Sequence, residues 1–269
     1  MTKVLFVVSA ADQWTLKDGT VHPTGFWAEE FVVPHQTFTE AGWHVDIATP
    51  GGRVPTVDQL SLGMMAGSPA KREQLRAALD RLRPALERPL VLADVDDSAY
   101  DLVFYPGGHG PLEDLAYDPV SGALIARRLL DDAPLALLCH APAAVFAAKR
   151  ADGTIAAEGR RMTAFSDLEE KLNPFARKAK WTLEAQLKHG GVQYEKARFP
   201  MQPHVVADGA LYTGQNPQSS AALAERLVHD FGARVERCVR CSRRFRSGNG
   251  RRVARFRARC RRRVDCCRA

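Results

Sequence analysis

Residues 1–232 of this 269-residue chain are nearly devoid of cysteine. Cys139 is the one they contain, and Cys238, Cys241, Cys260, Cys266 and Cys267 all lie beyond them. A lone thiol excludes an intramolecular disulfide framework there. No run approaches the ~18 uncharged apolar residues needed to span a bilayer, so no membrane partner is expected. The apolar start is too short for a signal peptide and reads as a first core strand, which makes the cytoplasm the expected location. Residues 233–269 lack lysine altogether, yet carry 15 arginines against two acids, Glu236 and Asp265. That stretch therefore holds +13. Since the whole chain holds +7, residues 1–232 hold −6. The body is mildly acidic, which confines any nucleic-acid affinity to nonspecific contacts of the tail.

What remains is an alternation of strands and helices. Lys3 to Ser9 is β-branched and apolar, as a buried parallel strand should be. A polar loop containing Asp18-Gly19 follows, then a helix over Phe26 to Ala41 that Pro34 should kink or split. His44 to Ala48 is a second strand, and Val54 to Gly67 is irregular. Ser68-Pro69 opens a helix with Leu75, Leu79, Leu82 and Leu86 at helical spacing, which Pro84 should bend or end early. Leu102 to Tyr105 is a strand, Val120 to Leu130 a helix and Leu135 to Leu138 a strand. Arg161 to Phe165 reads as a strand, Leu183 to His189 as a helix and Val192 to Lys196 as a short strand. Val205 to Tyr212 is a hairpin with an Asp-Gly turn. Ser219 to Phe231 is the closing helix. Such an order predicts an α/β fold, a mostly parallel sheet with helices on both faces. Ligands of such sheets bind beyond the carboxyl ends of the strands.

Two loops fall on that edge. In Leu135-Ala-Leu-Leu-Cys139-His140-Ala-Pro-Ala-Ala144 a strand turns into a helix opened by Pro142, with the thiol at the corner. A thiol at a helix N-terminus sits in the positive field of the dipole, so its pKa should fall. These ten residues are equally compatible with a buried core thiol. Pro106-Gly-Gly-His109-Gly110 is the second loop. It is neither a dinucleotide fingerprint nor a phosphate loop, and its amides can face an oxyanion near Cys139 or simply make a tight turn. Glu29 and Glu30, in the first turn of a helix, would ordinarily complement its dipole on a solvated face. His22, His35, His44, His189, His204 and His229 show no paired ligand spacing, so no metal and no cofactor is expected.

Taken together, the elbow, the segment Pro106 to Asp114, and Thr24-Gly25-Phe-Trp-Ala-Glu-Glu30 resemble the DJ/PfpI superfamily of class I glutamine amidotransferase-like proteins. Thr163 to Glu170 and Thr213 to Ser219 resemble its heat-shock chaperone and glyoxalase III branch. The resemblance covers Lys3 to about Phe231. It implies a flavodoxin-like fold with a nucleophile elbow, in which Cys139 is the nucleophile and Glu30 the buried acid against its sulfur. His140 would be the adjacent histidine and Glu170 the carboxylate orienting it, with Asp167 as the alternative. Gly108, with the His140 amide, would line the oxyanion pocket, and His109 and Gly110 would complete the substrate side. The family elbow usually reads Cys-His-Gly, and Ala141 departs from it by one methyl group.

The function so implied is a glutathione-independent glyoxalase. It would convert methylglyoxal to lactate as a glyoxalase III-type lyase (a D-lactate dehydratase), or remove early glycation adducts as a deglycase. A stress holdase for unfolded clients and a Cys-dependent amidase or peptidase are the alternatives. A homodimer is expected. Residues 1–232 are expected to form the domain and residues 233–269 a disordered Arg/Cys-rich tail. Clustered arginine would suit phosphate binding and Cys238-x-x-Cys241 half of a zinc site. The abrupt change of composition at the end of the domain favours translation in a shifted frame of a GC-rich gene. Truncation after Gly232 is then expected to leave melting temperature and methylglyoxal turnover unchanged.

Overall fold

The computed structural model describes residues 1–173 and 175–245, with Ala176 and residues 233–245 described by their backbone alone. The strands are β1 (Lys3–Val7), β2 (Gln13–Thr15), β3 (Val21–Pro23), β4 (His44–Thr49), β5 (Leu90–Val91), β6 (Leu102–Tyr105) and β7 (Leu135–Leu138). They continue with β8 (Arg161–Met162), β9 (Gln193–Tyr194), β10 (Val205–Asp208) and β11 (Leu211–Gly214). The α-helices are α1 (Ala28–Glu40), α2 (Pro69–Leu86), α3 (Pro119–Leu130), α4 (Asp167–Glu170), α5 (Leu183–His189) and α6 (Ser220–Phe245).

Seven strands form one sheet in the order β10-β11-β7-β6-β1-β4-β5, and every neighbouring pair except β10 with β11 is parallel. Side chains of a strand alternate between faces. On β1, Phe6 meets Phe31 and Phe38 of α1, while Leu5 and Val7 join a core cluster with Leu124, Ile125 and Leu129 of α3. Helices therefore cover both faces, as a flavodoxin-like sheet requires. β1, β6 and β7 lie side by side at the centre, so Ser9, Gly107 and Cys139 emerge along one carboxyl edge.

Several elements differ from the sequence reading. The loop around Asp18-Gly19 is an antiparallel hairpin of β2 and β3, with Gly19 at φ 81°. α1 runs through Pro34 without a break, and α2 continues past Pro84 to Leu86. Pro84 forfeits one backbone hydrogen bond, that to the Asp80 carbonyl, and only Ala85 and Leu86 follow it in the helix. Behind Cys139 there is a 3₁₀ stretch, Ala141–Phe146, in place of the α-helix expected to open at Pro142.

The closing helix passes its expected end at Phe231 and continues to Phe245, because the residues after Gly232 begin with good helix formers and no proline. The chain divides into two compact units after Ala224 instead of Gly232. Residues 233–245 carry backbone helix as the C-terminal part of α6. The rest of the tail, with Cys260, Cys266 and Cys267, lies outside the described residues. Among the described residues no helix is long and apolar enough to cross a membrane.

One carboxylate anchors the site edge of β1. Asp114 accepts from the Ala10 amide at 2.8 Å, the Ala11 amide at 3.1 Å and the Ser9 hydroxyl at 2.8 Å. Asp114→Ala strands these donors in a part-buried setting, at about 1–3 kcal/mol for each one left unsatisfied. Urea denaturation should show a loss of about 3 kcal/mol or more. A loss below about 1 kcal/mol would mean that water replaces the carboxylate.

Candidate active site

Cys139 follows β7 with φ 60°, a left-handed conformation that a non-glycine residue adopts only under constraint. Two backbone bonds impose it. The Cys139 amide donates to Gly214 of β11 at 2.8 Å, and its carbonyl accepts from Phe165 at 3.0 Å. The sharp corner turns the neighbouring histidine back on the thiol, so Sγ and His140 Nδ1 stand 3.3 Å apart. His140 Nε2 meets Glu170 Oε1 at 2.6 Å. Cys139, His140 and Glu170 are all buried. Asp167, the alternative partner for His140, instead uses its amide to contact Glu184 at 2.9 Å.

Glu30 enters from α1, on the buried face it shares with Pro34 and Phe38 at four-residue spacing. It is fully buried. Oε2 accepts from the Gly107 amide at 2.9 Å, while Oε1 has no hydrogen-bond partner of ordinary geometry and faces the thiol. Glu29 points outward and pairs with Lys71 at 2.6 Å. The glycine loop is drawn tight against both. A Cβ on Gly107 would fall 2.5 Å from the Leu138 carbonyl and 2.6 Å from Glu30 Oε2. One on Gly108, at φ 98°, would fall 2.4 Å from the Gly25 carbonyl. Neither the Gly108 nor the His140 amide has an acceptor among the described residues, so both remain able to hold an oxyanion. Gly110 packs closely against the same segment. Its amide is committed to the Gly25 carbonyl at 3.3 Å, and a Cβ there would strike Ser9 Oγ at 2.5 Å.

Burial sets the charges. It pushes the Glu30 carboxyl well above the carboxylate range, outweighing the contacts with Cys139 and Gly107 that lower it. The α1 dipole also favours the ion, but a helix terminus is worth about 0.3–1 kcal/mol against several for burying a charge. Glu30 therefore keeps its proton, best placed on Oε1, which leaves Oε2 the carbonyl oxygen that accepts from Gly107. The same comparison overturns the lowered thiol pKa expected from the dipole. Burial first, and Glu30 second, push the Cys139 thiol up. An un-ionised Glu30 removes the second cause and offers a proton to sulfur. Burial lowers the His140 pKa against the opposing pull of Glu170. Glu170 is itself pushed up by burial, but contact with His140 leaves it below the usual range. The resting site holds a thiol, a neutral imidazole and one carboxylate. Glu170 assigns the imidazole proton to Nε2 and leaves the Nδ1 lone pair facing the thiol.

Three further groups complete the site. Glu169, buried beside Glu170, caps α4 through Ser166 and binds the Met201 amide at 2.9 Å, Gln215 at 2.9 Å and Asn216 at 2.8 Å, which fixes α4 and thus Glu170. Trp14, carried by the β2–β3 hairpin, stacks on His109 with ring centroids 4.7 Å apart. His109 in turn lies 4.6 Å from the His140 ring. Asp58, held by Thr24 at 2.8 Å, approaches His109 Nδ1 at 4.0 Å. The Asp-Gly signal within Gln13 to Pro23 could have announced the hairpin. Asp58 carried no signal of spacing, whereas Ser166 to Glu170 resembles a helix start with acids in its first turn, which is where Glu169 sits.

The model of the DJ-1/PfpI family matches residues 21–230. A Staphylococcus aureus (strain MSSA476) protein named protein/nucleic acid deglycase HchA is 29% identical over 242 residues, 85% of this chain and 80% of that one. The structure of the Rapid Encystment Protein 24 kDa of Francisella tularensis superposes with a TM-score of 0.75 at 25% identity, covering 85% of this chain and 98% of that one. That of a glyoxalase III from Candida albicans gives 0.73 at 24% identity over 85% and 96% of the two chains, a likeness of fold.

Glu30→Gln should cut turnover by about 10² or more, as expected for a group that supplies a proton in the transition state, while Glu29→Gln changes it little. The reverse ranking would place the wrong face of α1 at the thiol. Because the Glu30 pKa is raised in the fold, its stabilising contribution is complete below its unfolded value and is lost as pH rises toward the folded value. Thermal melts of Glu30→Gln should therefore exceed those of the parent increasingly as pH rises. Equal melts at every pH would show that Glu30 is ionised in the fold.

Proposed function

The chain belongs to the DJ-1/PfpI family, and we propose that it is a glyoxalase and deglycase that attacks reactive carbonyl carbons through Cys139, without glutathione. The observation that carries this reading is the relay from Cys139 Sγ through His140 to Glu170, with the Glu30 carboxyl against the same sulfur. The staphylococcal relatives named as protein/nucleic acid deglycases support it. Small aldehydes such as methylglyoxal, and early glycation adducts, present the same electrophilic carbon.

The thiol proton passes to His140 Nδ1 as sulfur adds to the aldehyde carbon. Glu170 stabilises the resulting imidazolium across the 2.6 Å contact, and Glu30 O–H donates to the developing negative charge on sulfur. The carbonyl oxygen turns toward the Gly108 and His140 amides and becomes the hemithioacetal hydroxyl on protonation. A base then removes the proton on the former aldehyde carbon. The enediolate so formed is reprotonated at the neighbouring carbon, giving a lactoyl thioester. Water, deprotonated by His140, hydrolyses the thioester to lactate and restores the thiol. The net reaction adds one water to methylglyoxal and needs no oxidant. In the deglycation of an early adduct, the same sulfur attacks the same class of carbon, and the amine leaves.

Purified protein should convert methylglyoxal to lactate without glutathione. Cys139→Ala should abolish conversion, and His140→Ala should slow it by about 10²–10⁴. Lactate production by Cys139→Ala would overturn the nucleophile. Suppression of client aggregation by both proteins, with no turnover by either, would favour a holdase. The pH profile follows from His140, which must be neutral to accept the proton. Its pKa lies below the ordinary 6.5, so kcat/KM should hold as pH falls through 6.5 and decline only below it. Glu170→Gln removes the group that pulls the His140 pKa up, and should move that acid limb to still lower pH while reducing the plateau. An acid limb unmoved, or moved to higher pH, would contradict the pairing.

A further inference from the structure

Three buried polar groups of the site converge without satisfying one another. His109 has neither ring nitrogen in a hydrogen bond, and Glu170 uses Oε1 alone and leaves Oε2 without a partner. His109 is 5% exposed and Glu170 4% exposed, so water at the surface does not explain these atoms. Buried polar groups normally find partners, and those that do not are where a ligand belongs. One donor atom each from His109, His140 and Glu170 lies within 4.8 Å of the others. Two imidazoles and a carboxylate are the ligand set of a borderline divalent transition ion, and three protein ligands leave a coordination position open.

We propose that His109, His140 and Glu170 form a regulatory divalent-metal site, suited to Zn²⁺ or Co²⁺, whose occupation switches off the thiol chemistry.

The geometry favours an ion over an accidental cluster. Tetrahedral coordination at about 2.0–2.1 Å places donors about 3.3 Å apart, so the widest separation must close by up to about 1.5 Å while the 2.6 Å contact of His140 with Glu170 opens. His109 can make that move without breaking a hydrogen bond, because it has none. Histidine ligands of metals ordinarily give their second nitrogen to a carboxylate. Asp58 Oδ2, 4.0 Å from His109 Nδ1, stands where that carboxylate would be, and would act on the ring through Nδ1 with Nε2 as ligand. Glu170 also supplies the negative charge that an entering dication needs in a buried site.

The consequence for the chemistry follows from the two nitrogens of His140. Nε2 faces Glu170 and Nδ1 faces sulfur. An ion on Nε2 displaces the proton shared with Glu170, and the ring takes that proton up again on Nδ1. A neutral imidazole bound through Nε2 must carry its proton on Nδ1, which leaves no lone pair toward the thiol. The metal thus fixes the tautomer that cannot act as base. Binding rests on the site geometry alone. Inhibition rests in addition on the relay proposed above.

The test uses the full chain with Cys238→Ser, Cys241→Ser, Cys260→Ser, Cys266→Ser and Cys267→Ser, so that the tail thiols do not compete for metal. Titration with Co²⁺ should give one equivalent bound, ligand-field bands of a four- or five-coordinate ion, and a raised melting temperature. His109→Asn and Glu170→Gln should each weaken binding about tenfold or more and lose the melting shift, with metal-free circular dichroism confirming that both fold. Adding Cys139→Ala should leave the equivalent bound. No binding by the parent, binding untouched by His109→Asn, or binding abolished by Cys139→Ala would overturn the site. One equivalent of Zn²⁺ should stop methylglyoxal turnover, and a chelator should restore it. Binding as described with turnover unchanged would leave the ligand set standing and overturn the switch. A metal-free parent without turnover would sink the functional reading, while the metal titration would still decide the ligand set by itself.

Discussion

A carboxyl group buried without charge against a thiol is the interaction on which the rest of this structure depends. Glu30 could be an ordinary first-turn acid complementing the dipole of α1. Its burial costs several times what the dipole returns, so the proton stays on. From this follow the close approach of Gly107, whose amide takes Oε2, and the availability of Oε1–H to sulfur. The glycines of the loop are required because Glu30, the Leu138 carbonyl and the Gly25 carbonyl occupy the space that side chains would need.

The second constraint is the corner at Cys139. Adjacent residues on a helix point in different directions, so a cysteine and the histidine after it could not cooperate there. The left-handed backbone at Cys139 and the short 3₁₀ turn behind it bring Nδ1 to 3.3 Å from sulfur. In the proposed reaction this geometry produces the nucleophile on demand, by proton transfer within the pair. Glu169 secures the far end of the relay. Its five acceptor contacts join α4, the Met201 turn and the end of β11, which keeps Glu170 at His140.

Much of this was legible in the sequence where a local signal existed. Apolar runs such as Leu135 to Leu138 marked the central strands, because a parallel strand is buried on both faces. The elbow and the glycine loop were visible because each follows such a run directly. Other features depended on contacts between distant segments. The state of the Cys139 thiol could not be read from its place after a strand, since burial by the whole fold outweighs a local dipole. Gly110 looked like its neighbours, but Gly25 claims its amide. Trp14 and Asp58 reach the site from separate segments with no spacing to announce it, and Glu169 shows in the sequence only as an acid of the helix start at Ser166. The β2–β3 hairpin has strands too short to show a period, although it carries the ring that covers His109. The cluster of His109, His140 and Glu170 has no spacing signature, because its members follow different strands.

The central claim is that Glu30 holds its proton beside Cys139 at neutral pH. Infrared difference spectroscopy between the parent chain and Glu30→Gln tests it most directly. At pH 7 the account predicts the carbonyl stretch of one un-ionised carboxyl group in the parent, absent from the variant, and shifted when Cys139→Ala removes the sulfur. A carboxylate band in its place at pH 7, lost in Glu30→Gln, would contradict it.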